Sequence, residues 1–166
     1  MWIVLKGKNK EIDFLQKNLI KKMGKDIMFY IPRYKTEIFK KNKVVTSTQL
    51  LMKNYIFCYH KNFKKRDNLN TVNFTKGLEY ILKGHETNQI QIERFIKYCK
   101  SFECEKGFIQ PIFFKSLLKD FGKFSSGPFK DLSFKIIEKQ KNKLKILIGD
   151  LVTTVSDNQR NIYRPI

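Results

Sequence analysis

A strongly basic chain that acts on nucleic acid could carry a magnesium-dependent nuclease centre, which needs carboxylates clustered from neighbouring elements. The acids of this chain do not gather that way: Asp13, Glu37, Glu79, Glu93, Asp120, Asp131 and Asp150 fall on separate segments. No glycine-rich phosphate loop and no Ser/His/Asp set is present. Cys58, Cys99 and Cys104 contain no Cys-x-x-Cys pair, and neither His60 nor His85 stands at a zinc-site spacing. The sequence therefore predicts no catalytic residue, no metal, no cofactor and no enzyme activity. The odd cysteine count reads as reduced thiols in a cytoplasmic protein. No apolar run approaches a bilayer span, and the amino terminus begins a strand pattern instead of a signal sequence.

Binding is the chemistry that the composition favours. Lys and Arg total 34 against 15 Asp and Glu, a formal charge of +19. Such an excess selects a polyanionic partner: DNA, RNA or an acidic protein. Almost all of these cations are Lys, with Arg only at positions 33, 66, 94, 160 and 164, so part of the excess reads as solvated surface. The second binding signal is Leu50 to Tyr59, apolar on both alternating faces. In a strand, Tyr55, Phe57 and Tyr59 share one side and Ile56 and Cys58 the other. The parity places Ile56 and Cys58 in a core beneath the first helix and leaves the aromatic side to be explained.

The elements that position these residues can be read from periodicity. Trp2 to Leu5 is β-type, and Ile12, Leu15, Leu19 and Met23 mark one helical face with Gly24 as its stop. Ile27 to Ile31, Pro32 to Phe39 and Val44-Val45 read as extended segments, the last two joined by a polar tip at Lys40 to Lys43. Leu69 to Phe74 is also read as extended, followed by a Thr75-Lys76-Gly77 turn and a short strand from Leu78 to Leu82. Asn88 is placed to cap a helix, with Gln91 reaching back, and Ile92, Phe95, Ile96, Cys99 and Phe102 form its apolar face. Pro111 to Phe121 carries helical spacing in Phe113, Phe114, Leu117, Leu118 and Phe121, and is expected to pack locally as the first element of a small β-barrel. After the Ser125 to Phe129 turn, Ser133 to Glu138, Lys143 to Ile148 and Leu151 to Val155 read as the strands of that barrel. The fold class is α+β, with domains at 1–104 and 123–166 joined by a linker at 105–122.

Order and local residues together resemble the NusG family of transcription elongation factors. The resemblance spans nearly the whole chain. It is carried by Trp2-Ile3-Val4-Leu5, by Leu51-Met52-Lys53-Asn54-Tyr55-Ile56-Phe57, by the Thr75-Lys76-Gly77-Leu78 turn and by Gly127-Pro128-Phe129. Met52-Lys53 departs from the usual Phe-Pro pair. Asn54, and the aliphatic Ile148 before Gly149, are similar to the specialised RfaH-like branch. Leu132-Ser133 stands where a Gly is expected, which degrades the KOW signature.

The resemblance implies a NusG-type amino-terminal domain followed by a KOW-type barrel. Tyr55, Phe57 and Trp2 would dock on the clamp helices of RNA polymerase; the competing explanation for these aromatics is contact with the second domain. Asn68 and Thr71 would meet the gate loop of the polymerase β subunit. Lys6, Lys8, Asn18, Lys21 and Lys76 would contact exposed non-template DNA. Ile148 and Gly149 would contribute to a site for ribosomal protein NusE, with binding of the termination factor Rho disfavoured. The implied function is that of a monomeric antitermination factor that suppresses pausing, with no membrane partner. The Ile, Val and Thr content after Ser133 favours strands over a helical hairpin as the resting form. A ribosome- or RNA-binding KOW protein, and more remotely a small nuclease, are the alternatives.

Overall fold

The computed structural model describes residues 1–8, 11–40, 43–158 and 160–166. The chain is α+β and divides into two compact units. One comprises Met1–Pro32 with Leu50–Ser101, the other Arg33–Gln49 with Phe102–Ile166.

In the first unit, β1 (Trp2–Gly7), β2 (Met28–Tyr30), β5 (Tyr55–Tyr59) and β6 (Leu78–Ile81) form an antiparallel sheet in the order β2-β5-β1-β6. The register pairs Ile3 with Cys58 and Leu5 with Ile56, so one sheet face is uniformly apolar. Onto it packs α1 (Ile12–Met23), burying Ile12, Leu15 and Leu19 as their spacing predicts, and ending at Gly24, whose N–H bonds the Ile20 carbonyl. Ile56 and Cys58 are fully buried in this core, on the side that strand parity assigns them.

The segment read as extended from Leu69 to Phe74 is instead helical: α2 spans Arg66–Asn73, just after a 3-10 turn at Lys61–Lys64. The β-branched Thr71 and Val72 bias the local reading toward a strand. Packing overrides it, because a helix sends Leu69 and Val72, three residues apart, onto the core beside Phe63.

The opposite sheet face is covered by α3 (Gln89–Ser101), with Ile92, Ile96 and Cys99 buried. Its start differs from a capping box. The Asn88 side chain donates to the Gly84 carbonyl at 2.7 Å, and Gln91 is exposed. Gln89 holds the helix to the sheet, its carbonyl accepting from the Trp2 N–H at 2.8 Å while its amide donates to the Trp2 carbonyl at 2.7 Å.

In the second unit, β3 (Arg33–Lys40) lies between β4 (Lys43–Leu50) and β7 (Phe108–Ile109), which runs parallel to it. The predicted polar tip between β3 and β4 falls on positions 41 and 42, outside the described residues. Within the span predicted as a linker, Pro111–Leu117 forms α4, with Pro at its first turn and Phe113 and Phe114 buried. Phe121 does not extend that helical face: it begins β8 (Phe121–Phe124) and is 52% exposed.

The strands β9 (Ser133–Gln140), β10 (Lys143–Ile148) and β11 (Leu151–Ser156) lie where expected, joined by β12 (Tyr163–Pro165), in the antiparallel order β11-β10-β9-β8-β12. Strands therefore occupy the region after Ser133, as the residue preferences require. The predicted closed barrel is not formed, since no pairing joins β11 to β12 among the described residues and the sheet stays open. Its core is aromatic: the Phe124 ring lies 4.6 Å from Phe134, 5.5 Å from Phe129 and 6.1 Å from Tyr163.

Gly127, with φ of +84°, closes the loop between β8 and β9, and a Cβ there would sit 2.5 Å from the Arg160 carbonyl oxygen. Gly127→Ala is therefore expected to lower stability by about 1–3 kcal/mol from backbone strain alone. Urea unfolding monitored by circular dichroism checks this, and an unchanged midpoint would refute it.

Candidate functional site

Strand parity sends Lys6, Tyr55 and Phe57 to the sheet face that carries α3, and the helix covers this face unevenly. Phe57 is 5% exposed, with its ring 5.4 Å from Phe95 of α3 and 6.2 Å from Tyr30. The expectation of an outward Phe57 is thus corrected: the second apolar face of β5 is core at Phe57. It opens at the two ends of the strand, at Tyr55 and at Tyr59.

At the Tyr55 end the structure builds a compact group from three strands. The Tyr55 and Tyr80 hydroxyls hydrogen-bond at 2.9 Å, and Lys6 Nζ lies 5.2 Å from the Tyr80 ring centroid and 5.9 Å from that of Tyr55. Glu79 meets Lys6 Nζ at 3.2 Å. The register explains the grouping, since Lys6 pairs with Tyr55 on one side and Tyr80 on the other. The hydrogen bond from Lys6 to Glu79 holds the ammonium above its ordinary pKa, and the hydrogen bond with Tyr80 raises the Tyr55 phenol. The result is a fixed cation beside two tyrosine rings, a surface suited to stacking with a partner's apolar or aromatic group.

Tyr80 was not among the residues singled out by sequence. Its signal was available in the Leu78 to Leu82 strand, but pairing with Lys6 requires knowing that β6 lies beside β1. Trp2, at the other end of β1, is half-buried, its ring 5.3 Å from Tyr59.

The DNA candidates separate into two places. Lys6 belongs to the tyrosine group. Lys8, Asn18 and Lys76 come together at the end of β1, the flank of α1 and the turn before β6. The Lys8 N–H bonds the Gly77 carbonyl at 2.9 Å, and the Asn18 side chain donates to the Lys76 carbonyl at 3.2 Å. Lys21 is exposed on the last turn of α1.

Two residues that the sequence reading did not name complete this rim. Lys22 Nζ donates to the carbonyls of Thr71 at 3.2 Å and Phe74 at 2.8 Å, tying α1 to the end of α2. Phe74 is 83% exposed, the most exposed of the large hydrophobic residues among those described. An exposed Phe74 beside Lys22, on the same unit as Lys8, Lys21 and Lys76, offers a ring on which a base can stack and cations that can meet phosphates. Its position in a run that reads as extended obscures the signal for Phe74, because the helix that places it at the end of α2 depends on packing.

Asn68 and Thr71 both lie on α2. The Asn68 amide donates to the Asn62 carbonyl at 2.8 Å, and the Thr71 hydroxyl donates to the Asp67 carbonyl at 3.0 Å. In the second unit, Ile148 ends β10 opposite Leu151, and Gly149 with Asp150 turns the chain into β11, where Leu151 and Val152 are 60% and 51% exposed. Among the described residues no three His, Cys, Asp or Glu side chains form a metal-binding group. No helix of the described residues is long and apolar enough to cross a membrane. Cys58 and Cys99 are buried, and burial pushes the Cys58 thiol up, away from the reactive thiolate.

No family model matches this chain, and no curated protein matches it. Among solved structures it is similar to one titled as the MjSpt4:Spt5 complex in conformation B, at 13% identity over 94% of this chain and 92% of that one, with a TM-score of 0.33. It is also similar to one titled as domain interaction in Thermotoga maritima NusG, at 15% identity over 98% and 95% of the two chains, with a TM-score of 0.34. At these identities and TM-scores the likeness assigns neither a family nor an activity to the chain.

Proposed function

We propose that the chain is a transcription elongation and antitermination factor of the NusG type, on the RfaH-like side, that binds RNA polymerase and contacts exposed non-template DNA. The observation that carries this is the occurrence, on one unit, of a partly open Tyr55–Tyr80–Lys6 group and of an exposed Phe74 beside Lys22. One surface offers aromatic anchors to a protein, the other a stacking ring and cations to a single strand. The sequence resemblance supplies the partner: Tyr55 meets the clamp helices, with Trp2 at the same sheet face. Asn68 and Thr71 on α2 reach the gate loop, and bridging the two pincers disfavours pausing. Ile148 and Gly149 serve a second partner of the NusE kind, and the aliphatic Ile148 disfavours Rho.

Binding to purified polymerase, followed by an elongation assay, tests the reading. Tyr55→Ala and Tyr80→Ala are each expected to weaken capture by about tenfold or more, the range of a buried aromatic anchor. Unchanged capture by both variants would overturn it. Co-sedimentation with ribosomal RNA in the absence of polymerase binding would instead favour the ribosome-binding alternative. Magnesium-dependent cleavage lost on one carboxylate substitution would favour the nuclease.

The lysine rim makes a separate prediction. Affinity for a fluorescent oligothymidylate, measured by anisotropy against salt, is expected to fall as salt rises. Lys22→Gln and Lys76→Gln should each flatten the logarithmic slope by about 0.7, the counterion release of one single-strand phosphate contact. Phe74→Ala should weaken binding about five- to hundredfold with the slope unchanged, since stacking carries no counterions. A Phe74→Ala chain that binds as tightly as the parent would remove the stacking role.

A further inference from the structure

The five-stranded sheet of the second unit buries one face, and strand parity sorts its residues between the two. Phe124, Phe134, Leu144, Ile146 and Tyr163 turn inward and are buried. The alternate positions turn outward. Among them Phe121 is half-exposed, Lys135 and Arg164 are exposed, and Lys123 is partly exposed. The register sets these four side by side. Phe121 of β8 pairs with Lys135 of β9, and two residues along β8, Lys123 pairs with Arg164 of β12. Side chains directly opposite lie about 5 Å apart at their Cβ atoms, and those two residues apart on one strand about 7 Å. Three cations therefore stand around one open ring. None of the three forms an ion pair among the described residues. Like charges directly opposite destabilise a sheet, yet Lys123 has Arg164 on one side and Ser133, not an acid, on the other. Asp120 and Asp131 lie outside the strands, and Glu138 stands farther along β9, opposite Lys145.

A partner that relieves this repulsion brings several anionic groups at once, and one that also uses the ring brings a flat apolar surface between them. Unpaired nucleotides supply both, whereas a duplex hides its base faces and an acidic peptide has no ring at each repeat. We infer that the outer face of this sheet binds a single strand of nucleic acid, with a base stacked on Phe121 and adjoining phosphates on Lys123, Lys135 and Arg164. This surface goes beyond the polymerase reading and uses none of the residues on which that reading rests.

The test uses the full chain carrying Phe74→Ala, so that stacking on the first unit does not contribute. Neither contact reads the sugar, so fluorescent oligouridylate and oligothymidylate should both bind in an anisotropy titration, less tightly as salt rises. Phe121→Ser should weaken binding about five- to hundredfold with the salt slope unchanged. Lys123→Gln and Lys135→Gln should each flatten the logarithmic slope by about 0.7. The thermal midpoint of Lys123→Gln should hold or rise, since one of two opposed cations is gone, whereas a lysine kept for structure would lower it. Lys106→Gln, on an exposed turn outside this sheet, should leave the slope unchanged. An oligonucleotide carrying 5-iodouracil should photo-crosslink to the peptide that contains Phe121. The inference is overturned if neither oligonucleotide binds, if Phe121→Ser binds as tightly as its parent, or if crosslinks fall on the first unit alone. It is equally overturned if Lys106→Gln flattens the slope as much as Lys135→Gln, which would assign binding to the overall charge. Competition by polyglutamate as strong as by oligouridylate would assign the face to an acidic protein instead.

Discussion

Lys115→Met is expected to destabilise the second unit by about 3–5 kcal/mol, the range for removing one partner of a buried ion pair. Lys115 and Asp157 meet at 2.7 Å, with side chains only 10% and 8% exposed. Lys115 Nζ also donates to the carbonyls of Gln140 and of Lys141, the latter at 3.0 Å, and the Tyr163 hydroxyl donates to Asp157 Oδ1. Four segments thus converge on one ion pair: α4, the turn from β9 to β10, the end of β11 and β12. Without the lysine, Asp157 is left without its ion-pair partner in a site with little water, and two carbonyls lose their donor. Adding Asp157→Asn should recover a large part of the loss, because the uncompensated charge is gone while Tyr163 retains an acceptor. Urea unfolding of the two variants decides the matter. A single variant within about 1 kcal/mol of the parent would show that the pair contributes no more than an exposed one.

The same cluster predicts a loss of stability at alkaline pH. Burial, then the hydrogen bond to Asp157, raise the Tyr163 phenol above its ordinary 10.0. A group raised in the folded state contributes its full stability below the unfolded pKa. That contribution declines as pH climbs above 10 toward the folded value, because the unfolded chain ionises first. Tyr163→Phe should flatten this alkaline decline in the thermal midpoint, and an identical pH profile for the two chains would refute the assignment.

The second large effect separates two neighbours that the sequence alone treats as equivalent. Phe57→Ala is expected to cost about 3–5 kcal/mol, the range for emptying a buried Phe site. Its ring is enclosed by Phe95 and Tyr30, and the cavity left behind cannot close without moving α3. Tyr55→Ala, two residues earlier on the same face, should stay within about 1 kcal/mol of the parent, because the ring is only half-buried and loses one exposed hydrogen bond. In a test of the proposed polymerase binding the two variants are expected to fail for different reasons: Phe57→Ala through loss of the fold, Tyr55→Ala through loss of the proposed contact. Equal stability losses in the two variants would mean that α3 does not discriminate between these positions.

Some of the molecule was legible from local pattern. The α1 face at Ile12, Leu15 and Leu19, the parity of Ile56 and Cys58, and the strands after Ser133 all arise from periods of 3.6 and 2 residues. Those signals are local, and burial then acts on residues that already share a face. The large positive charge likewise needed only the residues themselves.

What the tertiary structure decided is every question settled by which element lies next to which. α2 is a helix because Leu69 and Val72 must both reach one core. Phe57 is buried and Tyr55 open because α3 covers one and not the other. Tyr80 joins Lys6 because β6 pairs with β1 from far along the chain, and Phe74 stands beside Lys22 because α1 meets the end of α2. Lys115 reads by itself as one more solvated lysine, and only the arrival of Asp157, forty-two residues later, makes its burial tolerable. Periodicity tells which side of an element turns inward. It carries no information about what arrives to cover the other side, and for this chain the candidate sites are the places where that second cover is partial.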